Sequence, residues 1–190
     1  MSTKNVMIVG VGGQGTLLAS RILGHVLVSA GFDVKVSEVH GMSQRGGSVV
    51  TYVRYGDEVA SPIIDRGEAD FIVSFELLEA ARYLPFLKMD GTIVTNTQEI
   101  DPLPVITGDV EYSRNLLEDL KATGANVDAM DCLMLAEEAG SAKAVNVVLM
   151  GRLSHYFDIP EEKWLASLEA IVPPRFLAMN KKAFALGRSN

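Results

Sequence analysis

Apolar and polar positions along the chain fall into two periods. Val6-Met7-Ile8-Val9 is an unbroken apolar run, the pattern of a strand buried on both faces of a parallel sheet. After Thr16, the residues Leu17, Leu18, Ile22, Leu23, Val26 and Leu27 recur at helical spacing up to Gly31, which marks the helix end. Asp33-Val34-Lys35-Val36-Ser37-Glu38-Val39 then alternates as a second strand. A strand–helix–strand unit of this kind is expected to cross over right-handedly. Ser48 to Tyr55 reads as a third strand and Gly56-Asp57 as a turn, by their β-branched content and turn chemistry. Glu58 to Ile64 reads as either a returning antiparallel strand or a loop, an insertion into the alternating pattern. Phe71-Ile72-Val73-Ser74-Phe75 is the next strand, followed by a helix from Glu76 to Leu84 with Leu77, Ala80, Ala81 and Leu84 on one face. Glu76 and Glu79 stand in its first turn, where the helix dipole favours acids. Capping accounts for them; facing a site beyond the strand is the alternative.

The second half is more helical. Gly91 to Asn96 reads as a short strand, Pro102 and Pro104 as a loop or edge segment, and Tyr112 to Thr123 as a helix stopped by Gly124. Asn126 to Met130 reads as a last strand. Helices follow over Cys132 to Ala139 and Ala144 to Phe157, and the second is so apolar (Val145, Val147, Val148, Leu149, Leu153) that it is expected to be buried. Pro160 opens a helix holding Trp164, Leu168 and Ile171, Pro173-Pro174 breaks it, and a terminal helix starts at Arg175. Trp164 is expected in the core; with Pro173 and Pro174 it could instead form a partner surface. The whole reads as an α/β fold: a Rossmann-like three-layer open sheet, mostly parallel, with a helical C-terminal third. One domain is expected over 1–190, its sheet part over 1–130 and its helical part over 131–190.

Composition narrows the function classes. Of 190 residues 48% are hydrophobic, enough to fill one core. The net charge is −7 and no basic stretch stands out, so no nucleic-acid partner is expected. No apolar run is of membrane-spanning length. The chain opens directly into a strand with no leader pattern, and a cytoplasmic protein is expected. The single cysteine, Cys132, cannot close an intrachain disulfide, ligate an iron–sulfur cluster alone or build a structural zinc site. Its apolar surroundings predict a buried small residue rather than a reactive thiol. No metal site is expected.

Two stretches carry candidate chemistry. Gly10-Val11-Gly12-Gly13-Gln14-Gly15 joins the first strand to the first helix with G-x-G-x-x-G spacing. Glycines there allow positive φ and close approach of a ligand, and the unpaired N–H groups opening the helix can receive a phosphate or another anion. A tight turn serving only helix–sheet packing is the plainer alternative. Glu38 lies near the distance at which a dinucleotide fold places its ribose-binding acid, though a structural or solvated Glu38 explains it as well. His40-Gly41-Met42-Ser43-Gln44-Arg45-Gly46-Gly47-Ser48 follows at the edge where open α/β sheets bind ligands. Arg45 can pair with a phosphate or carboxylate, Ser43 and Gln44 can donate to ligand oxygens, and His40 can titrate near neutral pH. No paired acid or nucleophile is visible beside His40. The candidate binding residues are thus Gly10, Gly12, Gly13, Gln14, Gly15, Glu38, His40, Ser43, Gln44, Arg45, Gly46 and Gly47.

The glycine loop followed by Glu38-Val39-His40-Gly41-Met42-Ser43-Gln44-Arg45-Gly46-Gly47 resembles the gamma domain of 2-oxoacid:ferredoxin oxidoreductases. Within that family the chain is most similar to the small (beta) subunits of the indolepyruvate oxidoreductases. The likeness continues through Ser61-Pro62-Ile63-Ile64, Gly67-Glu68-Ala69-Asp70 and the helix from Glu76 to Leu84, and covers essentially the whole chain. The resemblance implies a complex that oxidatively decarboxylates a 2-oxoacid with thiamine diphosphate and magnesium. Electrons would pass through [4Fe-4S] clusters to ferredoxin, and the acyl group to coenzyme A. With one cysteine and no Gly-Asp-Gly start of a thiamine–magnesium motif in this chain, those groups are expected on a large, alpha-like partner subunit. The isolated chain is expected to be inactive, and a homodimer is possible when it is alone. Two other classes stay open: a free-standing nicotinamide- or flavin-dependent oxidoreductase, and a non-catalytic nucleotide-binding or adenylating module.

Overall fold

A computed structural model describes residues 3–38 and 47–190. Strand β1 (Lys4–Val11) lies in the interior of a six-stranded sheet and leads through α1 (Thr16–Ser29) to β2 (Asp33–Glu38). β3 (Ser48–Gly56), β4 (Ala69–Ser74), α2 (Leu77–Tyr83) and β5 (Leu87–Asn96) follow. After the short α3 (Leu103–Ile106) come α4 (Leu116–Ala122) and the last strand, β6 (Asn126–Met130). The chain then continues through α5 (Cys132–Ala139), α6 (Val145–Leu153), α7 (Glu161–Ile171) and α8 (Pro174–Ser189).

The sheet order is β2-β3-β1-β4-β5-β6. β1, β4, β5 and β6 are parallel neighbours, while β3 runs antiparallel to both β1 and β2. β1 and β2 therefore point the same way, as a strand–helix–strand unit requires, but they do not touch. β3 enters between them and takes both hydrogen-bonding edges. The sheet is mostly parallel, with β3 the reversed strand.

α1 leads from β1 towards one edge of the sheet and α2 leads from β4 towards the other. If both crossovers are right-handed, the two helices must lie on opposite faces. The core shows that they do. Val6 and Ile8 of β1 pack with Ile22, Leu23 and Val26 of α1, whereas Met7 and Val9 pack with Ala80 of α2 and Leu120 of α4. The unbroken apolar run of β1 thus feeds two cores, one on each face. α5 to α8 join the α1 side, where Trp164 is fully buried, stacked on Phe184 and edge-on to Phe157. Trp164 is therefore a core residue, while Pro173 and Pro174 remain exposed.

Several local expectations shift. Residues 57–68 take the loop alternative, tied to β3 where Arg54 donates to the carbonyls of Ser61 and Ile63. Pro102 and Pro104 flank the start of a one-turn helix, since proline suits the first turn. The helix expected from Tyr112 begins only at Leu116, and the Tyr112 side chain instead donates to Glu76. The alternation reaching Val39 ends at Glu38 in the described strand, and Val39 lies outside the described residues.

Candidate functional site

The chain leaves β1 for one edge and β4 for the other, so a crevice opens between their C-terminal ends, the place where open α/β sheets bind ligands. The glycine loop sits there. Gly13 and Gly15 hold φ at 102° and 86°, values that favour glycine. Gly10 is tight for another reason: an added Cβ would stand 2.9 Å from the Gln14 Oε1 and 3.0 Å from the Phe75 Cβ. Gly15 caps α1 without any side-chain hydrogen bond, which leaves the positive end of the helix to solvent or a ligand.

Gln14 faces inwards. Its Oε1 accepts from the Val11 N–H at 2.7 Å, and its Nε2 donates to the Phe75 carbonyl at 3.1 Å and to the Gln98 Oε1 at 3.5 Å. Asn96, fully buried at the end of β5, donates to the same two acceptors at 3.1 and 3.4 Å and accepts from the Cys132 N–H. The carboxamides of Gln14 and Asn96 thus tie the ends of β1, β4, β5 and β6 together. In this structure Gln14 braces the loop.

Beside this network lies a cavity of about 530 Å³, lined by Gly13, Gln14, Gly15, Gln98, Leu133, Lys143 and their neighbours. Lys143, in the turn between α5 and α6, lines the same cavity as the uncapped start of α1. Asn146 holds that arrangement, donating to the Gly15 carbonyl at 3.3 Å. Helix N–H groups plus an ammonium make a surface for an anion. Sequence reading missed Gln98, Lys143 and Asn146. The only signal for Gln98 was its place just after a strand end, and Lys143 and Asn146 sit over a hundred residues from the loop.

The two motifs meet: the Gly12 N–H donates to the Gly47 carbonyl at 2.9 Å. Glu38 stands elsewhere, accepting from the Ser20 hydroxyl at 2.8 Å and lining a groove of about 550 Å³ with Arg21, His25 and Val36. His40, Ser43, Gln44, Arg45 and Gly46 lie outside the described residues.

On the α2 side of β1, a second cavity of about 200 Å³ is walled by Val11, Gly47, Ser48, Glu76, Glu79, Arg82 and the turn from Ile100 to Pro104. Glu76 caps α2 by accepting from the Glu79 N–H at 3.0 Å, as its position in the first turn predicts. Burial pushes its carboxyl up, against hydrogen bonds from Tyr112, Ile100 and Glu79 that favour the charged form. Cys132 is fully buried, and burial together with nearby Asp131 and Asp128 pushes its thiol up to about 12. It is a core residue rather than a nucleophile. Among the described residues no group of three His, Cys, Asp or Glu side chains could hold a metal ion, and no helix is long and apolar enough to cross a membrane.

Residues 5–190 match the family described as pyruvate ferredoxin/flavodoxin oxidoreductase. The chain is 42% identical to the indolepyruvate oxidoreductase subunit IorB of Thermococcus kodakarensis, covering 98% of this chain and 95% of that protein. It is equally similar, at 42% identity over the same shares, to the subunit of that name from Pyrococcus horikoshii. Its fold matches the pyruvate oxidoreductase subunit PORC of Thermotoga maritima with a TM-score of 0.75 at 20% identity, over 100% of this chain and 97% of that one.

Proposed function

Since the chain belongs to the pyruvate ferredoxin/flavodoxin oxidoreductase family, we propose that it is the small subunit of a 2-oxoacid:ferredoxin oxidoreductase. Its 2-oxoacid is indolepyruvate or a related aryl pyruvate. The observation that carries this is the likeness to IorB subunits along almost the whole of both chains. A larger, alpha-like partner subunit completes the enzyme. Thiamine diphosphate with magnesium supplies the decarboxylation chemistry, and [4Fe-4S] clusters carry electrons to ferredoxin. The residues present here do not fit a cluster, because the one cysteine is buried and its thiol is held protonated. Nor do they fit thiamine diphosphate with its magnesium, because the chain has no Gly-Asp-Gly start of that motif and its described residues hold no group of metal-ligating side chains. Both groups therefore belong to the partner.

This chain's part is to bind and orient. The cavity at the glycine loop receives a phosphate of coenzyme A, with the start of α1 and Lys143 as its anion contacts and Gln98 as a hydrogen-bonding wall. From the sequence, Arg45 is the matching contact on the His40–Gly47 segment. Leu17, Leu103, Ile106 and Met134 are exposed around the same sheet edge and offer the apolar surface that a subunit interface covers. The partner docks there, closing the crevice against its own thiamine site.

The test is anaerobic co-purification followed by ferredoxin reduction with indolepyruvate and coenzyme A. A larger, cysteine-rich partner and coenzyme A-dependent reduction are expected. A chain that purifies alone and binds NAD or ATP tightly would sink the reading. In the active complex, Lys143→Ala should raise the KM for coenzyme A about tenfold, the loss of one charge-assisted contact.

A further inference from the structure

Two acids stand three residues apart in the first turn of α2, and capping explains only half of what they do. Glu76 and Glu79 are 1% and 3% exposed. Burying a carboxylate is costly unless its oxygens are hydrogen-bonded, whereas a cap needs only one side chain at the helix surface. Nor do they form a reciprocal capping box, since the Glu76 N–H bonds to the Ser74 hydroxyl at 3.4 Å and Glu79 points away from it. Glu79 accepts from the Ser48 hydroxyl on one oxygen and from the Arg82 Nε at 3.2 Å on the other. Glu76 uses the oxygen not engaged in capping to accept from the Ile100 N–H at 3.1 Å and from the Tyr112 hydroxyl.

Each carboxylate therefore grips a different segment. Ser48 opens β3 directly after Gly47, whose carbonyl is held by the Gly12 N–H of the glycine loop. Ile100 and Tyr112 belong to the strap between β5 and α4. That strap carries Gln98 into the larger cavity and Pro102 to Pro104 along the smaller one. The strap is pinned at a further point, where the Leu77 N–H donates to the Gln98 carbonyl at 3.1 Å.

We infer that Glu76 and Glu79 are positioning residues that set the two walls of the crevice, Glu79 by holding Ser48 beside the glycine loop and Glu76 by holding the strap that carries Gln98. The inference rests on the small-subunit reading. Glu79 acts on ligand affinity through Ser48 and touches no reacting atom. Its loss should change how well the assembled enzyme holds coenzyme A and leave the turnover of the saturated enzyme nearly intact.

The test uses the assembled two-subunit enzyme, with ferredoxin reduction by indolepyruvate at varied coenzyme A. Ser48→Ala and Glu79→Leu each remove the grip, and both should raise the KM for coenzyme A about tenfold with kcat within about twofold. Glu79→Gln keeps an acceptor for Ser48 and should recover most of that loss. Glu76→Leu, which leaves the Ile100 N–H and the Tyr112 hydroxyl without their acceptor, should speed amide exchange of residues 97–112 about tenfold while leaving α6 and α8 protected. If Glu79→Leu does not assemble, Ser48→Ala decides. An active wild-type complex in which Ser48→Ala leaves the coenzyme A KM unchanged overturns the inference. So does one in which Ser48→Ala raises KM only with a matching loss of kcat and of thermal stability. A wild-type complex with no 2-oxoacid-dependent ferredoxin reduction overturns the small-subunit reading instead.

Discussion

At Gly15 the backbone holds φ at 86° and an added Cβ would stand 2.5 Å from the Asn146 Nδ2, while at Gly13 φ is 102° and the space beyond is open. The pair separates two costs of adding a methyl group. Gly13→Ala meets backbone strain alone and should lower stability by about 1 kcal/mol. Gly15→Ala adds an overlap with the side chain that ties α6 to the loop, and should cost about 3 kcal/mol. Urea unfolding of the two variants checks the order, and equal losses would show that Asn146 yields freely. The spacing of Gly10, Gly12 and Gly15 made the loop legible without a structure, and two of the three do require glycine, Gly10 for space and Gly15 for its positive φ. The direction of Gln14 was not legible. A carboxamide can serve a ligand or its own backbone with the same atoms, and which it does depends on Phe75 and Gln98, far along the chain.

Between elements, α6 and α8 approach so closely that glycine is the only residue with room. A Cβ on Gly187 would meet the Val148 carbonyl at 2.0 Å, and one on Gly151 would meet the Phe184 carbonyl at 2.2 Å. Gly187→Ala must push the helices apart and should cost about 2–3 kcal/mol. The single tryptophan, Trp164, stacks on Phe184 with ring centroids 5.9 Å apart, so its fluorescence should shift to the red in that variant. An unshifted emission with wild-type stability would mean that the crossing is looser than the structure shows. The periodicity of Val145 to Leu153 announced a buried helix, and it is one. That α5 to α8 all gather on the α1 face was not encoded in any one of them, since an apolar stripe states that it will be covered and not by what.

Across the whole molecule, the two ends of the sheet do different work. At the end away from the crevice, Asp70 accepts from the Asn5 N–H at 2.8 Å and from Lys4 and Lys88 at 3.1 and 2.9 Å, joining the starts of β1, β4 and β5. Burial pushes its carboxyl up, but the bonds from Lys88, Asn5 and Lys4 prevail and hold it below its ordinary value of 3.8. A carboxyl whose folded pKa lies below its unfolded one stabilises the protein at higher pH and loses that contribution as pH falls through the folded value. Asp70→Asn should therefore be less stable than wild type near neutral pH, with the gap closing below about pH 4. Urea midpoints of both proteins against pH check this, and a gap that stays constant would remove Asp70 from the account. At the crevice end, Gln14 and Asn96 tie the strand ends, and further polar groups brace the loops, where Glu76 and Glu79 hold the two walls.

By itself the sequence determined the strand, glycine turn and helix around Gly10 to Gly15, the burial of β1 on both faces and the helical C-terminal third. Its single cysteine is too few to ligate an iron–sulfur cluster alone. These follow from local periodicity, from the conformational demands of glycine and from a count of ligands. Only the tertiary structure decided that β3 would slip between β1 and β2, and that Gly12 would pair with Gly47. It alone brought Lys143, Gln98 and Asn146 to the glycine loop from the far half of the chain. A strand's pattern records which faces are buried, but its neighbours are chosen by pairings and side-chain contacts between residues tens to more than a hundred positions apart, and no local period carries that choice.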